Sequence, residues 1–124
     1  MSLQHFLAIQ DLSKDQLTQL INDAQQFCDG ALRTQQFKDI LKGKTICTLF
    51  FEASTRTRSS FQLAAERLGA HVLNFDAQNS STKKGETAID TMRTLEAMGV
   101  ECFIVRTAVD GELNELIAAA KPST

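Results

Sequence analysis

The sequence predicts an α/β fold, a parallel sheet flanked by helices in the order α-βα-βα-βα. Two observations carry this. The run Lys44 to Phe51 (KTICTLFF) is β-rich, has no breaker and scarcely alternates, the pattern of a strand covered on both faces. Around it, apolar runs of strand length alternate with segments whose apolar residues recur at helical spacing. That alternation builds a parallel sheet joined by right-handed crossovers, with ligands bound at the carboxyl ends of the strands.

Ser13-Lys14-Asp15-Gln16 reads as a capping box, and Leu17, Leu20, Ile21, Ala24 and Cys28 follow at helical spacing until Gly30, giving an amphipathic helix. The strand Lys44 to Phe51 comes next. A second helix starts at Thr57, with Phe61, Ala64, Ala65 and Leu68 as its apolar set, and ends at Gly69. His71 to Phe75 (HVLNF) is a second strand. Asp76 to Gly85 (DAQNSSTKKG) is polar and longer than most strand-to-helix connections, which marks it as functional or mobile. Ile89, Met92, Leu95 and Met98 repeat every three residues up to Gly99 in a third helix, and Glu101 to Arg106 (ECFIVR) is a third strand. Asp110 is placed to cap a fourth helix carrying Leu113, Leu116, Ile117 and Ala120.

With 124 residues, 43% of them hydrophobic, the chain has the size of one domain and material for one core. A formal charge of −2 without a basic stripe argues against nucleic acid as a partner. Cys28, Cys47 and Cys102 fit neither a disulfide framework nor a paired metal motif; they are expected as reduced thiols, with Cys47 and Cys102 buried in their strands. No leader pattern and no apolar run of about 18 residues is visible, so no membrane association and a cytoplasmic location are expected.

The strand exits hold the candidate chemistry. At the first, Glu52-Ala53-Ser54-Thr55-Arg56-Thr57-Arg58 leads straight into a helix. Free backbone N–H groups, the positive end of the helix dipole, hydroxyl donors and a guanidinium fork together suit a phosphate. A plain cap at Ser54 with two solvated arginines explains the same spacing. No dinucleotide or nucleoside-triphosphate glycine pattern is present. The second exit, Ser80-Ser81-Thr82-Lys83-Lys84-Gly85-Glu86-Thr87, offers lysines that could reach an anion or could merely be solvated. At the third, Arg106 ends an apolar strand on the same edge as Arg56, as a ligand group or as the point where the strand meets water.

Phe50-Phe51-Glu52-Ala53-Ser54-Thr55-Arg56-Thr57-Arg58 resembles the signature of the aspartate and ornithine carbamoyltransferases, and Ser80 to Thr87, with its Lys83-Lys84-Gly85-Glu86 core, is similar to a loop of the aspartate branch. The resemblance covers essentially the whole chain. It implies one half of the two-domain carbamoyltransferase fold, with residues 1–124 as the carbamoyl-phosphate-binding domain. It further implies that Ser54, Thr55, Arg56 and Thr57 bind the phosphate, that Thr57 lies near the carbonyl oxygen, and that Arg106 joins them. Ser80 and Lys84 would act in the neighbouring subunit of a homotrimer. The implied reaction is direct attack of the L-aspartate amino group on carbamoyl phosphate, a step of de novo pyrimidine biosynthesis, with no covalent intermediate, no metal and no cofactor. Regulatory or pathway-enzyme subunits are compatible with it.

Three departures accompany the match. The family's His-Pro-Thr-Gln segment and its aspartate-binding domain would lie beyond Thr124, so this polypeptide is expected to be inactive alone. Thr107 stands where the family usually has histidine after the strand-end arginine. His5 and His71 match no catalytic position and are read as structural or surface residues. The corresponding domain of an ornithine enzyme, or a non-catalytic binding or assembly module on the same fold, remain as alternatives; the Lys83 to Glu86 core favours the aspartate branch.

Overall fold

The computed structural model describes residues 4–28, 37–76 and 87–124. After a single 3-10 turn at Ile9–Asp11, the elements run α1 (Lys14–Gln26), β1 (Thr45–Phe50), α2 (Thr55–Arg67), β2 (His71–Asp76), α3 (Ala88–Ala97), β3 (Cys102–Arg106) and α4 (Glu112–Ala119). Among the described residues the strands form one sheet in the order β2-β1-β3, and both pairings are parallel.

β1 takes the central place that its breaker-free sequence predicts: Ile46 through Phe50 are all buried. Its side chains alternate between the two faces, as the pleat requires. Cys47 and Leu49 pack with Met92, Leu95, Val100 and Leu116 beneath α3 and α4. Ile46 packs with Ala65 and Ala70 beneath α2. Each fully buried leucine or methionine of the larger cluster contributes about 1.5–3 kcal/mol.

α1 begins at the expected capping box: the Gln16 amide donates to Ser13 Oγ at 3.2 Å, and Gln16 Oε1 accepts from the Ser13 amide at 2.9 Å. Its expected apolar face is not covered among the described residues; no α1 residue is buried, and Ile21 is 61% exposed. α2 starts two residues before Thr57, and Phe61 and Ala64 of its predicted inner set point to solvent, leaving Ala65 as its buried residue. The inward face is turned toward Gln62, which apolar periodicity does not register. Gly69 is required where α2 ends, because its φ is +94° and a Cβ there would lie 2.5 Å from the Lys38 carbonyl oxygen.

α3 opens on a second capping box, Thr87 with Asp90. The three-residue repeat overshoots: the helix ends at Ala97, and Met98 is 70% exposed, while Thr91 and Glu96 are buried beside Met92 and Leu95. Glu96 is held by the C-terminal turn, its Oε1 accepting from the Lys121 amide at 3.0 Å and from Thr124 Oγ1 at 2.7 Å. Asp110 does not cap α4. That position belongs to Gly111, in the left-handed region at φ +82°. Of the three free cysteines, Cys47 is fully buried and its burial pushes the thiol up to about 12; Cys102 lies in β3 as expected but is exposed, because β3 is an edge strand. Among the described residues no helix is long and apolar enough to cross a membrane.

Candidate functional site

Parallel strands deliver their carboxyl ends to one edge of the sheet. Here the register sets Phe50 of β1 opposite Asp76 of β2 and Arg106 of β3. The chain leaving β1 therefore begins beside Arg106, and the Phe51 amide donates to the Arg106 carbonyl at 2.8 Å. Alternation along β3 turns the Arg106 side chain to the α2 face, the face of Ile104. The first and third strand exits thus converge.

Arg106 is the hub. Its Nε donates to Glu52 Oε1 at 2.6 Å, and its Nη1 lies 3.2 Å from Ser54 Oγ and 3.4 Å from Thr57 Oγ1. Ser54 occupies the N-cap position of α2, yet its side chain makes no capping bond. The plain-cap explanation of this serine therefore fails: its hydroxyl serves the arginine instead. The first turn of α2 also carries no acidic residue, so the positive end of the helix is left without a side-chain counter-charge. Arg56 is exposed on this turn and makes no hydrogen bond or ion pair among the described residues. Thr55 is exposed beside it. Hydroxyls, a guanidinium and an uncapped helix start on one edge form an arrangement that can take an oxyanion.

Ser54, Thr57 and Arg106 are thus brought together by contact, while Thr55 and Arg56 share the first turn of α2 without touching Arg106. Ser80 and Lys84 lie outside the described residues. Glu52 was not singled out by sequence reasoning, although it stands inside the quoted motif. Only the register shows it, by placing a carboxylate two residues past the end of β1 beside the residue that ends the neighbouring strand. Thr107 turns out to organise its own connection: its Oγ1 accepts from the Val109 amide at 3.1 Å and donates to Glu112 Oε1 at 3.0 Å. A groove of about 430 Å³ beside it, lined by Asp11, Asp110 and Asn114 among others, shares no residue with the Arg106 constellation and is too acidic for an anion. Among the described residues no group of three histidine, cysteine or acidic side chains could hold a metal ion.

Residues 4–123 match the family model described as aspartate/ornithine carbamoyltransferase, carbamoyl-P binding domain. The chain is 55% identical over 123 residues to an aspartate carbamoyltransferase catalytic subunit of Stenotrophomonas maltophilia and 54% identical over 122 residues to that of Xanthomonas axonopodis pv. citri. Each match takes in 98% of this chain and 39% of the relative, so the chain spans about two-fifths of the length of these relatives. In three dimensions it is similar to the catalytic subunit of M. jannaschii aspartate transcarbamoylase, with a TM-score of 0.85 and 29% identity over 96% of this chain and 39% of that one. It is also similar to the Trypanosoma cruzi aspartate transcarbamoylase in complex with carbamoyl aspartate and phosphate, with a TM-score of 0.84 and 32% identity over 94% of this chain and 35% of the other. Matched almost end to end by the family model, the chain belongs to the aspartate/ornithine carbamoyltransferase family through its carbamoyl-phosphate-binding domain.

Proposed function

We propose that this chain supplies the carbamoyl-phosphate site of an aspartate carbamoyltransferase acting in de novo pyrimidine biosynthesis in the cytoplasm. The observation that carries the proposal is the meeting of Arg106 with Ser54 and Thr57 at a helix start whose N-cap hydroxyl has left its capping role. In this reading the backbone and hydroxyls of Ser54, Thr55 and Thr57, with the guanidinium groups of Arg56 and Arg106, hold the phosphate oxygens. Thr57 is near the carbonyl oxygen. The α-amino nitrogen of L-aspartate attacks the carbonyl carbon, the bond from that carbon to the bridging phosphate oxygen breaks, and phosphate leaves with that electron pair while the nitrogen loses a proton. The protein acts by positioning and by donors aimed at charge that grows on the carbonyl and departing phosphate oxygens, each worth about 3 kcal/mol.

L-Aspartate is bound by a domain outside this sequence, and the site is completed by Ser80 and Lys84 of a neighbouring subunit in a homotrimer. The 124 residues alone are therefore expected to be inactive. The test is phosphate release by the full-length enzyme given carbamoyl phosphate with either L-aspartate or L-ornithine, and by the 124-residue chain in parallel. Turnover with ornithine and none with aspartate defeats the assignment, and robust turnover by the short chain defeats the shared site.

A further inference from the structure

The face of the sheet that α2 covers carries buried Phe50 at the carboxyl end of β1 and only small or half-buried apolar residues around the buried Ile46 below it. Ala65 is the one buried residue of α2, and its cluster is Ile46 and Ala70 with Leu41, Val72 and Ile104 half-buried around them. Burial of such small surfaces holds a helix down, but it is non-directional and specifies weakly where the helix sits along the sheet. On the same face Thr48 is fully buried in the middle of β1. A buried hydroxyl is costly unless bonded. This one donates to Oδ1 of Asn74 at 2.6 Å, the residue opposite it in β2. Asn74 Nδ2 then donates to Gln62 Oε1 at 2.8 Å, and Gln62 Nε2 donates to Glu66 Oε1 at 3.0 Å.

The far end of the relay sets its direction. A carboxylate offers acceptors, so Gln62 turns its Nε2 to Glu66 and presents Oε1 inward; Asn74 answers with Nδ2, its Oδ1 is left for β1, and the Thr48 hydroxyl donates. The relay also lies one layer below the Arg106 contacts. Thr48 precedes Phe50 by two residues, about 7 Å down the strand. Gln62 follows Thr57 by five residues, about 7.5 Å along a helix that runs back against β1. The helix is thus tied to the sheet at two matched heights, Ser54 and Thr57 to Arg106 above and Gln62 to Asn74 below. One tie leaves a rigid rod free to pivot, whereas two set both its slide and its rotation.

We propose that Thr48, Asn74 and Gln62 are positioning residues for the anion site: the amide relay sets where α2 sits on the sheet and so the separation between its first turn and the Arg106 guanidinium. The proposal rests on the carbamoyl-phosphate reading and deepens it. Gln62→Met in the full-length enzyme keeps side-chain length and helix preference but cannot accept from Asn74. It is expected to raise the dissociation constant for inorganic phosphate about tenfold, as loss of one hydrogen bond's worth of alignment would. The KM for carbamoyl phosphate should rise in step, with the unfolding midpoint little changed. The exchange Gln62→Glu with Glu66→Gln keeps an acceptor for Asn74 and an amide-to-carboxylate bond on the helix, and is expected to bring phosphate affinity back to within about twofold of wild type. Wild-type phosphate affinity in Gln62→Met, or no recovery in the exchange, overturns the proposal. A crystal structure of Gln62→Met without phosphate supplies a second criterion, independent of the anion reading. Lengthened contacts from Ser54 and Thr57 to Arg106 support the relay, and unchanged contacts overturn it. If Gln62→Met does not fold, Asn74→Ala at its exposed strand position removes the same bond and is held to the same outcomes. Arg56→Ala with unaltered phosphate affinity would overturn the anion reading by itself, and the relay is then judged on the crystallographic contacts.

Discussion

Glu52 holds Arg106 by its Nε, at 2.6 Å, in a pair whose arginine and glutamate side chains remain 43% and 37% exposed. The bond takes one edge of the guanidinium and leaves both Nη groups, of which Nη1 already faces Ser54 and Thr57. The carboxylate therefore orients the arginine while placing a negative charge beside the proposed anion site. Glu52→Gln keeps an acceptor for Nε and removes the charge. Partly exposed charges interact by under about 1 kcal/mol, so inorganic phosphate is expected to bind about threefold more tightly to this variant at low salt. Titration calorimetry checks it, and the gain should fade in about 1 M salt, where screening removes interactions beyond a few ångströms.

Arg56 stands exposed on the first turn of α2, without a protein partner among the described residues. Arg56→Ala is expected to weaken phosphate or carbamoyl phosphate binding by about 1.5–3 kcal/mol, the range for a hydrogen bond to a charged group. Arg56→Lys should recover little of this, because an ammonium cannot reproduce the bidentate fork. Unchanged phosphate affinity in folded Arg56→Ala protein overturns the anion reading of this helix start.

Lys84 is expected to act across subunits of the full-length enzyme. Full-length Lys84→Ala and Arg56→Ala chains should each be nearly inactive, since every site then lacks one charge that stabilises the departing phosphate. Dissociated and reassembled together, they form hybrid trimers in which one site regains both groups, and activity should return to a substantial fraction of wild type. Activity that stays at the parental level, with hybrids confirmed by native mass, shows that Lys84 serves its own subunit.

Cys47 provides a pH prediction. Burial raises its folded-state thiol pKa from 9.0 to about 12, so the unfolded chain loses its proton first. Its contribution to stability is intact below about pH 9 and is lost between pH 9 and 12 at about 1.4 kcal/mol per unit. Denaturant unfolding at successive alkaline pH values should show this slope, and Cys47→Ala should remove it from a lower baseline. Alkylation of the folded protein at pH 8, read by peptide mapping, should modify the exposed Cys28 and Cys102 while sparing Cys47.

The fold was legible because its signals are local or periodic. The capping box at Ser13, the breaker-free run of β1 and the strand-helix alternation each act within one element, and covering β1 on both faces needs only its own composition. Helix faces were less legible. Phe61 and Met98 carry the right period but point outward, because helix ends and rotations are set by what lies across the interface, and across from α2 lies the Asn74 amide as well as Ile46 and Val72.

Sequence alone determined that hydroxyls and arginines follow β1 and that an arginine ends β3. Sequence did not contain the pairing of Phe50 with Arg106, nor therefore that Glu52 holds the guanidinium and that the Ser54 hydroxyl leaves the helix to meet it. Strand order and register decide those contacts. They arise from long-range packing of elements far apart in the chain, and a hydroxyl offered both a cap and a guanidinium chooses between them only once the tertiary structure has brought the second within reach.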